Sequence, residues 1–439
     1  MTSEKDIPEN RVFKKDHLVI RELSEKIVEA QRPIRILDAI KWDDNIRKDF
    51  FKHKCRKLPH VDQHYYNKQS LGYDPEEKMS EFFALEHEVR KTLGQFSGVS
   101  QIMQRMCREY RESVEMLLHR GTPRFSEISQ QLYGSSEDAF YAQAPTLGDL
   151  ASVINQVLEN VGNKTDNDND KKIYDAENSA VYLNKKLKRY FNDKTDEPIA
   201  VISDDIVADA AAGAEKIKIR RDVMLSKRNL KQLEVHEGWV HLGTTLNGKN
   251  QPICTFLSKG PPSSTITQEG LAILMEIFTF TSYPRRVQRV NDRINAIAMA
   301  EAGADFIEVF DFFRSKHQGE EDAYNSAVRV FRGSTPTGKP FTKDLSYSKG
   351  FVEILNYIRL AIRSGLVQHI PMLFVGKTSL TDLRIIVDLV EEGIVTPPKF
   401  LPPQFKDLAP LCAWSAYSLF VSKLSPDHMA IDFKELLRE

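Results

Sequence analysis

The sequence predicts a predominantly helical α+β fold carrying one small sheet. Two patterns support this. Apolar residues recur at spacings of three and four over most of the 439 residues, as amphipathic helices require. Apolar/polar alternation, the mark of a half-buried strand, is confined to short runs.

Taken in order, helices are expected over Leu18 to Ala30, Met79 to Leu93 and Val99 to Leu118. Gly121 and Pro123 stop the last of these, and Phe125 to Tyr133 restarts one. Residues 1–162 are therefore a mainly helical N-terminal region. Residues 163–173 fall in a polar run, Gly162-Asn-Lys-Thr-Asp-Asn-Asp-Asn-Asp-Lys-Lys172, expected to be a linker or loop. Its alternating Asp and Asn do not make a calcium loop, because the mid-loop glycine and closing glutamate are missing.

The region 174–439 opens with a helix over Asn178 to Phe191 and a strand at Pro198-Ile-Ala-Val-Ile-Ser203. Lys216-Ile-Lys-Ile-Arg220 alternates as a half-exposed or edge strand does, and such a rim could pair with an extended peptide. Helical spacing returns from Ser226 to Leu246. A loop, Gly260-Pro-Pro-Ser-Ser264, precedes an apolar helix from Thr267 to Phe280, followed by helices over Arg285 to Ala302 and Ala304 to His317. Pro371-Met-Leu-Phe-Val375 reads as strand-like, and no internal repeat of fixed period is present.

Bulk composition narrows the function. Lys plus Arg total 61 and Asp plus Glu 62, so no overall field draws the chain to nucleic acid or an anionic membrane. The N-terminus is charged and lacks the apolar core of a signal peptide. The longest apolar stretch, Leu271 to Phe280, carries Glu276 and is too short to cross a bilayer. A cytoplasmic protein is expected, with neither nucleic acid nor membrane as partner. Cys55, Cys107, Cys254 and Cys412 form no Cys-x-x-Cys pair and read as buried thiols. Any metal must therefore be held by histidine and carboxylate.

His236-Glu-Gly-Trp-Val-His241 places two imidazoles and a carboxylate within one stretch of helix. In ordinary zincins the histidines stand four apart, about 40° from each other around the helix. Here they stand five apart, which opens the angle to roughly 140° on an ideal α-helix. Both rings reach one ion only if the helix widens, so a π-type turn is expected between them, eased by Gly238. A catalytic zinc needs a third protein ligand and an open position for water. Glu269, at the start of the next helix, supplies it in the manner of a gluzincin, and Glu237 stands where a general base would act. On its own the hexapeptide leaves open a plain pairing of surface residues; the second element adds weight to the metal site. The 174–439 region is accordingly expected to be a zincin-like catalytic core with one zinc ion, a small sheet and added helices.

His236-Glu-Gly-Trp-Val-His241 together with Thr267-Gln-Glu-Gly-Leu-Ala272 resembles the QEGLA-motif family, whose bacterial members are labelled flavohaemoglobin expression-modulating proteins and whose animal members include microtubule-associated tyrosine carboxypeptidases. The resemblance runs over roughly residues 35 to 400, through Arg120-Gly-Thr-Pro123, Arg329-Val-Phe-Arg-Gly333 and Phe341-Thr-Lys-Asp-Leu-Ser-Tyr347. It implies zinc on His236, His241 and Glu269, with Glu237 catalytic, in a minimal zincin core embedded in helices. It also implies a peptidase reaction with a preference for chain ends, and so a peptide or protein C-terminal tail as substrate. The N-terminus reads as short of the long basic extension that microtubule binding would favour, so a microtubule-binding arm is not expected.

A carboxypeptidase needs a cation for the terminal carboxylate and a donor for the oxyanion. Arg329, Arg332 and Lys343 are the candidates for the first role and Tyr347 for the second. Ion pairing with Asp344 and simple packing are the competing roles. Arg285 and Arg286 read as the start of a solvated helix, Trp239 as core, Lys185 to Arg189 as a solvated basic face, and the remaining histidines as free of metal. Two other functions fit the same residues: a regulatory protein with a structural zinc site, and a metal-dependent amidohydrolase acting on a non-peptide substrate.

Overall fold

The computed structural model describes residues 15–436 except 163, 166–170, 196, 198, 205, 207, 214, 317 and 318. Most of the polar run at 163–173, the Pro198 start of the expected strand and the His317 end of the expected helix lie outside the described residues.

Four N-terminal helices form where the spacing places them, α1 (Lys15–Gln31), α2 (Pro75–Leu93), α3 (Gly98–Leu118) and α4 (Pro123–Tyr133), and a further one, α5 (Leu147–Val161), follows them. Their ends are chemically marked. Asp74 accepts the Glu77 N–H ahead of α2, and Thr146 and Asp149 close a capping box on α5, satisfying amides that a helix start leaves without partners. Gly121, at φ +73°, makes the turn between α3 and α4 that a side chain would strain. The apolar faces of α1 to α4 form one core that continues into Ile253–Leu257 and Ile386–Leu389. The two halves of the chain thus share buried surface.

Helix α6 (Ala176–Phe191) covers a three-stranded sheet of β1 (Ala200–Ser203), β2 (Ala210–Ala212) and β3 (Ile217–Arg220), in the order β1-β3-β2. Leu183 and Leu187 of α6 cluster with Ile217 and Ile219 of β3, so the alternation in β3 is that of a half-buried strand. Its place corrects the expected rim: β3 is central, parallel to β1 and antiparallel to β2. The edge next to the active-site helix is β2. Three alanines carry no strand signal, which hid it.

Beyond the sheet come α7 (Lys227–Leu233), a π-helical segment Glu234–Leu242, α8 (Gly243–Lys249) and α9 (Pro262–Phe278). Then follow α10 (Pro284–Glu301), α11 (Phe306–Ser315), α12 (Glu320–Phe331), α13 (Ser346–Arg363), α14 (Leu383–Glu391) and α15 (Ala409–Val421). The strand-like Pro371 run is instead part of a 3-10 helix, Val367–Phe374; a short apolar run buried among helices cannot be told from a strand by hydropathy. Helices α9 and α13 cross at Gly270 and Gly350. A Cβ on Gly270 would lie 2.1 Å from the Gly350 carbonyl carbon, so the backbones touch there. Among the described residues no helix is long and apolar enough to cross a membrane.

Candidate active site

The expected π turn is present, and it decides the geometry. Over Glu234–Leu242 the helix widens, which brings residues five apart onto one face. The rings of His236 and His241 meet edge-on, with centroids 4.8 Å apart and planes at 82°. Where the π segment gives way to α8, the His241 carbonyl accepts from Thr245 Oγ1 at 2.7 Å, Lys377 Nζ at 3.0 Å and Thr244 Oγ1 at 3.2 Å. Gly238 has a packing role beyond the one expected of it. A Cβ there would sit 2.3 Å from Leu187 Cδ2, so glycine lets α6 lie against the π segment. Trp239 stacks on Tyr190 at 5.3 Å and packs between two apolar clusters, in the core role expected of it.

Three donor atoms converge. Glu269 Oε2 lies 3.6 Å from His236 Nε2 and 3.4 Å from His241 Nε2. It is buried and has no hydrogen-bond partner among the described residues. A buried carboxylate oxygen without a donor is costly. Edges of a tetrahedron around an ion with ligands at 2.0–2.1 Å are about 3.3 Å long, close to these separations, so the three side chains could hold a divalent metal. Potential ligand atoms of His236, Glu237 and His241 also fall within 4.8 Å of one another. Glu237, however, is tethered elsewhere: its Oε2 accepts the Ala212 N–H of β2 at 2.7 Å, and its Oε1 stands 3.8 Å from His236 Nε2. The unpartnered oxygen makes Glu269 the better third donor.

Behind the histidines lies a support that the motifs alone did not reveal. Glu276, fully buried, pairs with His236 Nδ1 at 2.7 Å and accepts from Arg286 at 2.9 and 3.1 Å and from Gln232 at 3.1 Å. With the Nδ1 proton assigned to that bond, Nε2 is the ring atom turned toward Glu269, and its lone pair becomes available to an ion when the second proton leaves. A signal for it exists in the sequence: Glu276 follows Glu269 by two helical turns on the same face of an otherwise apolar helix. Arg286 therefore points inward instead of starting a solvated helix. Burial alone would raise the Glu276 pKa, but Arg286 and His236 hold it at about 2. His236 is driven to about 10; burial opposes the shift, but Glu269 and Glu276, followed by Glu237, outweigh it. Glu269 is held well below the carboxylate range, against burial, by Lys343 and the two histidines.

The remaining candidates gather at one wall. Tyr347 lies over His236, centroids 6.3 Å apart. Lys343 Nζ donates to Glu269 Oε1 at 3.3 Å, and Arg329 grips both oxygens of Asp344 at 2.7 and 2.8 Å. Arg332 has a buried Nε without a hydrogen-bond partner among the described residues. Arg293 and Lys377, which no motif marks, belong to this neighbourhood, as does Gln268, the residue before Glu269 in the QEGLA motif. Gln268 Oε1 accepts from Thr244 Oγ1 at 2.6 Å and Lys377 Nζ at 2.9 Å, joining the helices that carry the histidines and Glu269. Burial pushes the Lys377 amine down to about 8, against the pull of Glu269 and Glu237. A cavity of about 540 Å³ between α1, α3 and α14 contains none of these residues. Lys185, Lys186 and Arg189 lie on the exposed face of α6, as expected.

No curated protein matches the chain. The family model of the microtubule-associated tyrosine carboxypeptidases matches residues 48–423. That span holds every donor of the site, from His236 through Glu269 and Glu276 to Lys377, and with most of the chain inside it the protein belongs to the microtubule-associated tyrosine carboxypeptidase family.

Proposed function

We propose that the protein is a zinc-dependent metallopeptidase with a gluzincin-type core, acting as a carboxypeptidase on peptide or protein C-terminal tails. The observation that carries this is the convergence of His236 Nε2, His241 Nε2 and an otherwise unpartnered Glu269 Oε2. Three protein donors leave one coordination position free, whereas a structural zinc is closed by four. That favours an enzyme over a regulator with a structural zinc. The family name adds the carboxypeptidase activity.

When bound, zinc would acidify the attacking water and polarise the scissile carbonyl. Glu237 receives the proton of that water and hands it to the leaving amine, which requires a carboxylate fixed in place yet with one oxygen free. The Ala212 N–H holds Oε2 and leaves Oε1 facing the donors. Glu276 fixes the His236 ring, and Lys343 on Oε1 of Glu269 leaves Oε2 turned to the histidines. Tyr347, beside His236, is placed to donate to the oxyanion. Strand β2 offers a sheet edge along which an extended substrate can lie.

Glu237→Gln and Glu269→Gln separate the roles. Glu237→Gln should keep zinc and fold but lower hydrolysis of a peptide library by about 10²–10⁴-fold, read by mass spectrometry. Glu269→Gln should lose stoichiometric zinc in elemental analysis. Undiminished hydrolysis by Glu237→Gln would remove it as the base, and full zinc in Glu269→Gln would remove the third ligand.

A further inference from the structure

Beside Tyr347, three guanidinium groups surround a single carboxylate. Arg329 takes both oxygens of Asp344 in a fork, the strongest geometry a carboxylate offers. Arg293 is left 3.7 Å from the same carboxylate, beyond hydrogen-bond reach. Its Nη1 and the Arg332 Nε are buried without hydrogen-bond partners among the described residues. The cluster therefore carries two positive charges in excess, on donors that point into no acceptor. Burial, followed by repulsion from Arg329, lowers Arg293 and brings Arg332 down to about 10. An anion placed between them would relieve both costs.

Position narrows the anion. The Arg293 guanidinium lies 4.8 Å above the Tyr347 ring, and the other neighbour of that ring is His236 at 6.3 Å. The unpartnered donors are thus one tyrosine ring away from the donors for the metal. In a peptide, the last carbonyl and the terminal carboxylate are separated by about 3–4 Å of chain; with a contact of about 3–4 Å at each end, such a residue reaches roughly 9–12 Å, enough to run from the Arg293 guanidinium past Tyr347 to the His236 side of the site. Lys343 and Arg329 are held by Glu269 and Asp344, and Lys377 by the His241 carbonyl and Gln268 Oε1.

We infer that Arg293 and Arg332 form the subsite for the substrate's terminal carboxylate and so restrict cleavage to the last residue, while Arg329 is a positioning residue that holds Asp344 beside Arg293. This rests on the zinc-peptidase reading of the same centre. The test compares zinc-loaded wild type with Arg293→Gln and Arg332→Gln on peptide pairs differing only in a free C-terminal carboxylate or an amide. Wild type should prefer the free acid by a hundredfold or more in kcat/KM. Each variant should lose at least tenfold of that preference, mainly through KM, whereas Arg314→Gln on the exposed face of α11 should keep it. As a second measurement on the wild type alone, N-acetyl-tyrosine should compete with substrate at least tenfold better than N-acetyl-tyrosinamide. Equal cleavage of acid and amide by wild type overturns the subsite and leaves the peptidase intact. An undiminished preference in both variants, or equal competition by the two ligands, overturns the subsite in the same way. Failure to cleave either peptide, with zinc bound, overturns the underlying reading instead.

Discussion

Replacing Gly270 by alanine tests how the site is assembled. In a solvated helix interior, Gly→Ala stabilises by about 1 kcal/mol, because alanine has less backbone freedom to lose. At Gly270 the new Cβ would meet Gly350 backbone atoms at 2.1, 2.5 and 2.6 Å. None of these can rotate away. Restoring ordinary contact requires α9 and α13 to part by roughly 1.3 Å or more. The crossing is lined by Leu271, Leu274, Ile354 and Ile358, all fully buried, so parting the helices loosens a packed core. Overpacking of this kind costs about 1–3 kcal/mol. With rigid backbone on both sides the upper end applies, and the net effect is a loss of about 2 kcal/mol once the propensity gain is subtracted. Glu269 is the adjacent residue. A shift of that size exceeds the roughly 0.2 Å tolerance of a metal ligand, so zinc affinity should fall at least tenfold. Thermal unfolding of zinc-loaded and chelated protein gives the first quantity, and competition with a chromophoric chelator gives the second. Gly148→Ala is the control, since its Cβ would make no contact closer than Thr146 Oγ1, at 3.5 Å; it should be neutral or stabilising. An increase in the melting temperature of Gly270→Ala, with zinc affinity unchanged, would refute the close-crossing argument.

Further outcomes follow from the same contacts. Glu276→Gln keeps the shape but weakens the hold on His236, and zinc affinity should drop about 10–100-fold; a titration indistinguishable from wild type would count against the supporting role. Asp344 is held far below its usual pKa, against burial, by Arg329 and then Arg293. Its folded pKa being depressed, it contributes stability that is complete above the unfolded value near 3.8 and lost as pH falls through the folded one. Asp344→Asn leaves three arginines uncompensated and should cost about 3–5 kcal/mol at neutral pH. Urea unfolding should show that gap flat above about pH 5 and narrowing below about pH 4; a gap that widened in acid would reverse the assigned sign. Removing zinc with a chelator should lower the melting temperature, since a ligand bound only to the folded state stabilises it by mass action. Binding should also release a proton and weaken as pH falls, because His236 must give up the proton that its carboxylate neighbours favour. Calorimetry in buffers of different ionisation enthalpy reads that release directly.

The periodic spacing of apolar residues is enough to place α1 to α4, because helix position depends on local pattern and on caps such as Asp74. The five-residue spacing of His236 and His241 likewise required a π turn, since ideal α geometry points the two rings apart. The motifs that contain Glu237 and Glu269 single both out, and the fold brings both near the two histidines. The sheet order was not: β2 carries three alanines, and only pairing in three dimensions made β3 central. Charge roles also depended on neighbours far away in sequence. Arg286 reads in sequence as a solvated helix start, whereas in the fold it is held by the buried Glu276; Lys343 reaches Glu269, while Arg329 and Arg293 share Asp344 and differ in that only Arg329 comes within hydrogen-bond distance of it. Gly238 and Gly270 show the division most clearly. Sequence marks them as glycines inside the two motifs; the structure shows that another helix, at Leu187 or Gly350, lies where a side chain would go. Local rules determine which elements form and which residue types can do chemistry. Which donors are free to act is a matter of long-range packing, because burial and ion pairing are set by elements that meet only when the chain has folded.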